Sequence, residues 1–139
     1  MEDNFRKVLE EAEKLTNKSY TGLDTSFLVD LLLEMSNDFK DSVIEWTTIN
    51  ISHRLKLELS TAQYLRNSWK NTVERTIDKL QLKFDRNPTL KLWLQDNFDV
   101  AWKLAVKEYK RAQREYSDLP DIPYTDSPWS LDDILVYFD

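Results

Sequence analysis

The sequence has a single glycine, Gly22, and no cysteine. Phosphate-binding loops need several glycines, because the backbone must approach the phosphate closely there. The missing cysteine excludes disulfides, thiolate metal sites and cysteine nucleophiles. The single histidine, His53, excludes a two-histidine zinc site. We therefore expect no metal and no cofactor.

Long apolar runs are also missing. The chain begins with acidic and polar residues, and its most apolar stretch, Phe27 to Met35, is interrupted by Asp30 and Glu34. A secretory signal needs a basic start and an apolar run, and a membrane span needs about 20 apolar residues. The sequence therefore predicts a cytoplasmic protein without membrane contact.

What the 139 residues do contain is apolar side chains at helical spacing. Such spacing predicts an amphipathic helix wherever it persists, and no alternating run indicates a strand. Asp24 or Thr25 is a candidate cap, and Asn87-Pro88 is a helix start signal. The expected main helices cover residues 3–17, about 25–35, 39 into the low sixties, 68–84 and 88–116.

The C-terminal segment is different, because Leu119 to Trp129 contains three prolines. Its apolar residues suggest that it lies in a groove of the bundle. Ser130 to Asp133 resembles a capping box that would begin a short last helix. The predicted fold is an all-α bundle of about five main helices, with an apolar proline-containing tail and a short last helix. We expect one domain over residues 1–139, with the tail (residues 119–139) packing back on the bundle.

Charge is unevenly distributed along the chain. Residues 1–53 carry a net charge of -6, residues 54–114 carry +7, and residues 115–139 carry -7. The basic residues form two stripes at helical spacing, one on the fourth helix and one on the fifth. The acidic tail could neutralise these stripes, or they could bind nucleic acid or an acidic protein. The candidate binding residues are Lys79, Lys83, Arg86, Lys103, Lys107, Lys110 and Arg114, and Arg75 begins the first stripe.

His53 shares one face of the third helix with Trp46, Asn50 and Leu57. Asn50 and His53 are i, i+3 neighbours, so their side chains can touch. A satisfied polar layer that fixes the helix register is the favoured interpretation. A catalytic role for His53 is the alternative, because imidazole titrates near neutral pH.

Seventeen aromatic residues are many for this length. Most of the tryptophans lie on apolar helix faces and are expected in the core. Trp102 is offset from the alanine stripe of its helix, and aromatic residues favour interfaces. Trp102 is therefore the candidate interface residue of a homo-oligomer.

Six short elements occur along the chain: Asp3-Asn4-Phe5, Leu23-Asp24, His53-Arg54-Leu55-Lys56, Ser68-Trp69, Asn87-Pro88-Thr89-Leu90 and Pro123 to Leu131. In this order they resemble the small helical family called domain of unknown function number twenty-nine. The resemblance spans nearly the whole chain and implies the all-α fold. It brings no activity, substrate or cofactor.

Two functional hypotheses follow. The missing catalytic elements, the surplus of aromatic residues and the segregated charge favour a non-enzymatic protein-interaction module. The alternative is a nucleic-acid-associated protein or an RNA- or DNA-processing enzyme. That alternative would use the basic stripes of the fourth and fifth helices, with His53 as acid or base.

Overall fold

A computed structural model describes residues 4–138, except for the side chains of Asn4, Phe5 and Val8. Phe5 and Val8 begin the helically spaced apolar residues of the predicted first helix (residues 3–17), and a test of their burial lies outside the described side chains. The described residues form six α-helices, one 3₁₀ turn and no strand, which confirms the all-α class. The helices are α1 (Asn4–Thr16), α2 (Thr25–Leu59), α3 (Arg66–Arg86), α4 (Pro88–Asp96), α5 (Phe98–Ala112) and α6 (Leu131–Ile134), and the 3₁₀ turn is Tyr20–Gly22.

Three helix starts follow the local signals in the sequence. The Asn87-Pro88 signal is followed by α4, which begins at Pro88, although the Asn87 side chain forms no cap bond. The Asp24 carboxylate accepts a hydrogen bond from the Phe27 backbone N–H at 2.9 Å, as an N-cap should. This bond, with the Lys7 ammonium, lowers the pKa of Asp24. Ser130 and Asp133 form the reciprocal bonds of a capping box at α6.

The predicted break between the second and third helices is wrong. Residues 25–59 form one helix of 35 residues, α2. The stretch Ser36-Asn37-Asp38 has weak helix formers, but it has no proline or glycine. Weak propensity alone costs only tenths of a kcal/mol per residue, and flanking helix on both sides outweighs it.

The predicted fifth helix is also wrong, because it is divided at Asn97 into α4 and α5. The Asn97 side-chain amide donates to the Trp93 carbonyl at 2.8 Å, and its backbone lies outside the helical region at φ -117° and ψ 16°. Asparagine competes in this way for the carbonyls of the preceding turn, which interrupts the regular ladder.

The chain is divided into two compact units, one from Met1 to Asp38 and the other from Phe39 to Asp139. Polar contacts hold the N-terminal unit. Glu11 is 3% exposed, bonds the Asp24 backbone N–H at 3.2 Å and pairs with Lys14 at 3.2 Å. The apolar side chains of α2 that belong to this unit are only partly covered, because Leu32 is 63% exposed and Met35 is 46% exposed.

The C-terminal unit contains a continuous hydrophobic core. Each of its helices contributes, and so does the tail, through buried Leu119, Leu131 and Ile134. Ile122 and Trp129 pack against this core from the proline-containing segment. The large side chains of this core that are fully buried are Val43, Ile51, Leu55, Leu80, Leu94, Tyr109 and Ile134.

A buried polar network joins α2 to the end of the chain. The Asn50 amide donates to the Thr76 hydroxyl at 3.0 Å and to the Ile134 carbonyl at 3.2 Å. Its oxygen accepts from Arg54 Nε at 2.8 Å. Arg54 Nη2 donates to the carbonyls of Ile134 and Val136, each at 2.9 Å. These bonds satisfy polar groups that would otherwise be buried without partners.

Candidate functional site

A groove with basic and aromatic walls lies between α2 and α3 in the C-terminal unit. Its volume is about 420 Å³, and its lining contains three cations and no carboxylate. We call it the basic-aromatic groove. It is lined by Phe39, Trp46, Lys79, Leu82, Lys83, Arg86 and Asn87.

Two lysines of this groove lie over aromatic rings. Lys83 Nζ is 4.3 Å from the centre of the Phe39 ring, and Lys79 Nζ is 5.8 Å from the centre of the Trp46 ring. Such cation–π contacts contribute about 0.5–1 kcal/mol at exposed sites. Neither lysine has a carboxylate partner within the described residues.

The structure therefore brings together the candidates Lys79, Lys83 and Arg86, and it adds two rings that sequence reasoning did not connect with them. The available signal was that Phe39 and Trp46 stand seven residues apart, two turns along one face of α2.

The stripe on α5 and its C-terminal extension is not part of this groove. Lys103, Lys107, Lys110 and Arg114 are all exposed. Lys103 has Asp99 as a neighbour at 3.8 Å, an exposed i, i+4 pair that contributes little. These four residues share exposure and charge, and none of them lines the basic-aromatic groove.

The acidic tail was one candidate for neutralising both stripes. Within the described residues, a single ion pair joins the tail to the helices from α3 to α5, between Lys91 and Asp132 at 3.1 Å. Lys91 belongs to neither stripe. The described tail residues therefore form no ion pair with the candidate binding residues.

His53 lines a second cavity, which lies between α2 and α5 and has a volume of about 690 Å³. We call it the α2–α5 cleft. From α2 it is lined by Asp41, Ile44, Glu45, Thr48, Ile49, Ser52, His53 and Lys56. From α5 and the residues after it, it is lined by Leu104, Glu108, Arg111, Ala112, Glu115 and Tyr116.

The imidazole of His53 is half-buried, and its Nδ1 lies 2.9 Å from the Ile49 carbonyl. A carbonyl only accepts, so Nδ1 carries the proton and Nε2 carries a lone pair. Burial, helped by the charge of Lys56, lowers the pKa of His53 to about 4. The imidazole is therefore neutral at physiological pH, which makes it a hydrogen-bond acceptor rather than a cation.

The expected contact between Asn50 and His53 does not form. Asn50 bonds Thr76, Arg54 and the Ile134 carbonyl, whereas His53 bonds its own helix backbone. A polar layer does exist, but its second member is Arg54. Sequence reasoning missed Arg54 because its charge suggests a solvent-facing position. Its burial is favourable because Asn50 and the carbonyls of Ile134 and Val136 accept its hydrogen bonds.

Trp102 is 5% exposed, and its indole N–H donates to the Thr125 carbonyl at 3.2 Å. The side chain belongs to the core of the C-terminal unit. Its small exposed fraction leaves almost no surface for a partner, so the offset from the alanine stripe reflects contact with the tail.

Within the part of the chain that the structure describes, no three acidic or histidine side chains are grouped so that they could hold a metal ion. None of the described helices combines the length and apolar composition that a bilayer crossing requires.

Comparison with known proteins agrees with the sequence resemblance. No curated protein and no solved structure matches this chain. The family described as domain of unknown function DUF29 matches residues 2–138. The match covers both compact units, including the proline-containing tail. The chain therefore belongs to the DUF29 family over nearly its entire length.

Proposed function

We propose that this chain is a non-enzymatic protein-interaction module that binds an acidic, amphipathic segment of a partner protein in the basic-aromatic groove. The observation that carries the proposal is the composition of that groove. Three cations, two aromatic rings and an exposed leucine line one cavity that contains no carboxylate.

The cations of the groove suit carboxylates on the partner. Lys79 and Lys83 have rings beneath them instead of acidic neighbours, so their ammonium groups keep unused hydrogen-bond donors. The rings also restrict the lysine side chains before binding, which reduces the entropy lost when a carboxylate pairs with them. Complementary charge of this kind accelerates association and makes affinity sensitive to salt.

The apolar lining favours a protein segment over a plain polyanion. Leu82 is 52% exposed, and Phe39 and Trp46 are half-buried. An amphipathic helix with leucine or aromatic anchors at i and i+4 would cover these side chains, while its acidic residues pair with the lysines. Such anchors in a pocket contribute most of the binding free energy in protein interfaces.

Fluorescence anisotropy with a labelled 20-residue peptide tests the proposal. The peptide carries glutamates with leucines at helical spacing, and a scrambled peptide of the same composition is the first control. A labelled single-stranded 20-mer oligonucleotide is the second probe. We expect the helical peptide to bind more tightly than the other two, with an affinity that falls as salt rises.

Two variants with the same change in net charge locate the site. Replacing Lys79, Lys83 and Arg86 by glutamate should weaken peptide binding at least tenfold. Replacing Lys103, Lys107 and Lys110 by glutamate should change it less than threefold, because those residues lie outside the groove. Equal losses in both variants would refute a specific groove.

The substitution Leu82→Ser separates apolar from electrostatic recognition. It should weaken peptide binding about fivefold without changing the salt dependence, because it removes an anchor contact and no charge. Tighter binding of the oligonucleotide than of the peptide would instead indicate a nucleic-acid interface.

A further inference from the structure

The α2–α5 cleft is lined by more carboxylates than cations, whereas the charged residues that line the basic-aromatic groove are cations alone. Its volume of about 690 Å³ falls within the range of small-molecule sites, about 300–1,000 Å³. Apolar side chains from both helices form part of the lining, including Ile44, Ile49 and Leu104. Four carboxylates and two cations complete the charged part of the lining.

Only one of the two cations forms an ion pair with a described residue. Arg111 Nη1 lies 2.5 Å from Glu108 Oε1, whereas burial lowers the pKa of Lys56 against the opposing charges of Glu108 and Glu115. The remaining two carboxylates, Asp41 and Glu45, have no cationic partner within the described residues. One end of the cleft is therefore negative.

The opposite half of the cleft offers hydrogen-bond acceptors. Nε2 of His53 carries a lone pair and has no protein partner among the described residues. Ser52 is adjacent in the lining, and its hydroxyl forms no hydrogen bond with the described part of the chain. A ligand here gains most from N–H groups that donate to Nε2.

The helix sets the distance between these two ends. Glu45 and His53 are eight residues apart on α2, which corresponds to about 12 Å along the helix axis. Ile49 is midway between them and lines the same cleft. A complementary ligand thus has two nitrogen groups joined by a flexible, mostly methylene chain of about this length.

We propose that the α2–α5 cleft binds a linear aliphatic polyamine. One ammonium group lies at Asp41 and Glu45, a second nitrogen donates to Nε2 of His53, and the methylene chain covers the apolar lining. Simple anions are disfavoured, because four carboxylates line the cleft against two cations. A bare divalent metal is disfavoured too, since the described residues provide no cluster of three ligands.

Isothermal titration calorimetry of the full chain with spermidine and putrescine tests this proposal. Spermidine should bind at least fivefold more tightly than putrescine, because the shorter diamine does not reach both ends. Glu45→Gln should weaken spermidine binding at least fivefold. Glu34→Gln is the matched control on the same helix outside the cleft, and it should leave the affinity within twofold of the wild type.

The substitution His53→Phe tests the contact with Nε2 without changing the charge of the cleft. It should abolish the preference for spermidine over putrescine, because only the longer ligand reaches Nε2. The circular dichroism spectrum of each variant verifies folding, and Glu45→Gln changes an exposed side chain, so it tests the site even where His53→Phe does not fold.

Three results would overturn the proposal. One is the absence of spermidine binding at 5 mM, and another is equal weakening by Glu45→Gln and Glu34→Gln. The third is displacement of spermidine by Mg²⁺ at the same total charge. That result would show that the cleft attracts any cation and does not recognise the positions of the amines.

Discussion

Arg54 should contribute several kcal/mol to the free energy of unfolding, although it is a charged residue on a predicted amphipathic helix. The side chain is 8% exposed and donates three hydrogen bonds, one to Asn50 and two to the carbonyls of Ile134 and Val136. Its guanidinium also lies 4.8 Å from the centre of the Phe138 ring. Arg54→Ala removes all four contacts and leaves the Ile134 carbonyl with fewer partners.

The magnitude follows from the kind of bond that is lost. A hydrogen bond that involves a charged group contributes about 1.5–3 kcal/mol, and bonds from one side chain are not additive. We therefore expect Arg54→Ala to lower the free energy of unfolding by about 3–5 kcal/mol. For a chain of this size, that corresponds to a fall in Tm of roughly 10–15 °C.

Urea unfolding followed by circular dichroism, with a thermal scan on the same samples, measures this loss. Arg54→Lys keeps the charge but lacks the planar guanidinium, so the free energy of unfolding should fall by about half as much as in Arg54→Ala. Arg75→Ala is the surface control and should change the free energy of unfolding by less than about 0.5 kcal/mol. Chymotrypsin should cut the aromatic residues of the tail faster in Arg54→Ala than in the wild type.

A loss below about 1 kcal/mol for Arg54→Ala would refute the reasoning, because three bonds from a buried charge are worth more than that. Full stability of Arg54→Lys would also contradict it, since one ammonium group does not replace Nε and Nη2 together.

Three further predictions concern single side chains. Burial lowers the pKa of His53 from 6.5 to about 4, so the stability that this neutral side chain contributes above pH 6.5 should be lost as the pH falls from 6.5 to 4. NMR titration of the single imidazole measures this pKa directly. The variant His53→Phe should show a flatter dependence of stability on pH. Tyr109→Phe should cost about 1–2 kcal/mol in urea unfolding, because the phenol donates to the Pro120 carbonyl at 2.6 Å. Thr47→Val should raise the midpoint of unfolding, because the Thr47 hydroxyl is fully buried and has no hydrogen-bond partner among the described residues; a lower midpoint would show that this hydroxyl is satisfied.

The helical class and most of the helix starts could be predicted from the amino-acid sequence. Apolar spacing close to 3.6 residues requires a helix to bury one face, and this requirement is local. Capping at Asp24 and the box at Ser130 are local as well, since each involves residues within one turn. These features were readable because the physics that creates them acts over three or four residues.

Which polar residues are buried was decided by tertiary structure, whereas the continuation of α2 and the break at Asn97 involve local details that the spacing of apolar residues does not show. The continuity of α2 through residues 36–38 and the division at Asn97 depend on small free-energy differences that packing and one side-chain bond reverse. Arg54 is buried because carbonyls some 80 residues away accept its hydrogen bonds.

The two cavities depend on the same long-range placement. Lys83 meets Phe39, and His53 shares a cleft with Arg111, only after separate helices pack together. Spacing along one helix shows which residues share its face, but it contains no information about the opposing helix. The sequence therefore identified the basic residues and the histidine, whereas the fold determined which cavity each one lines.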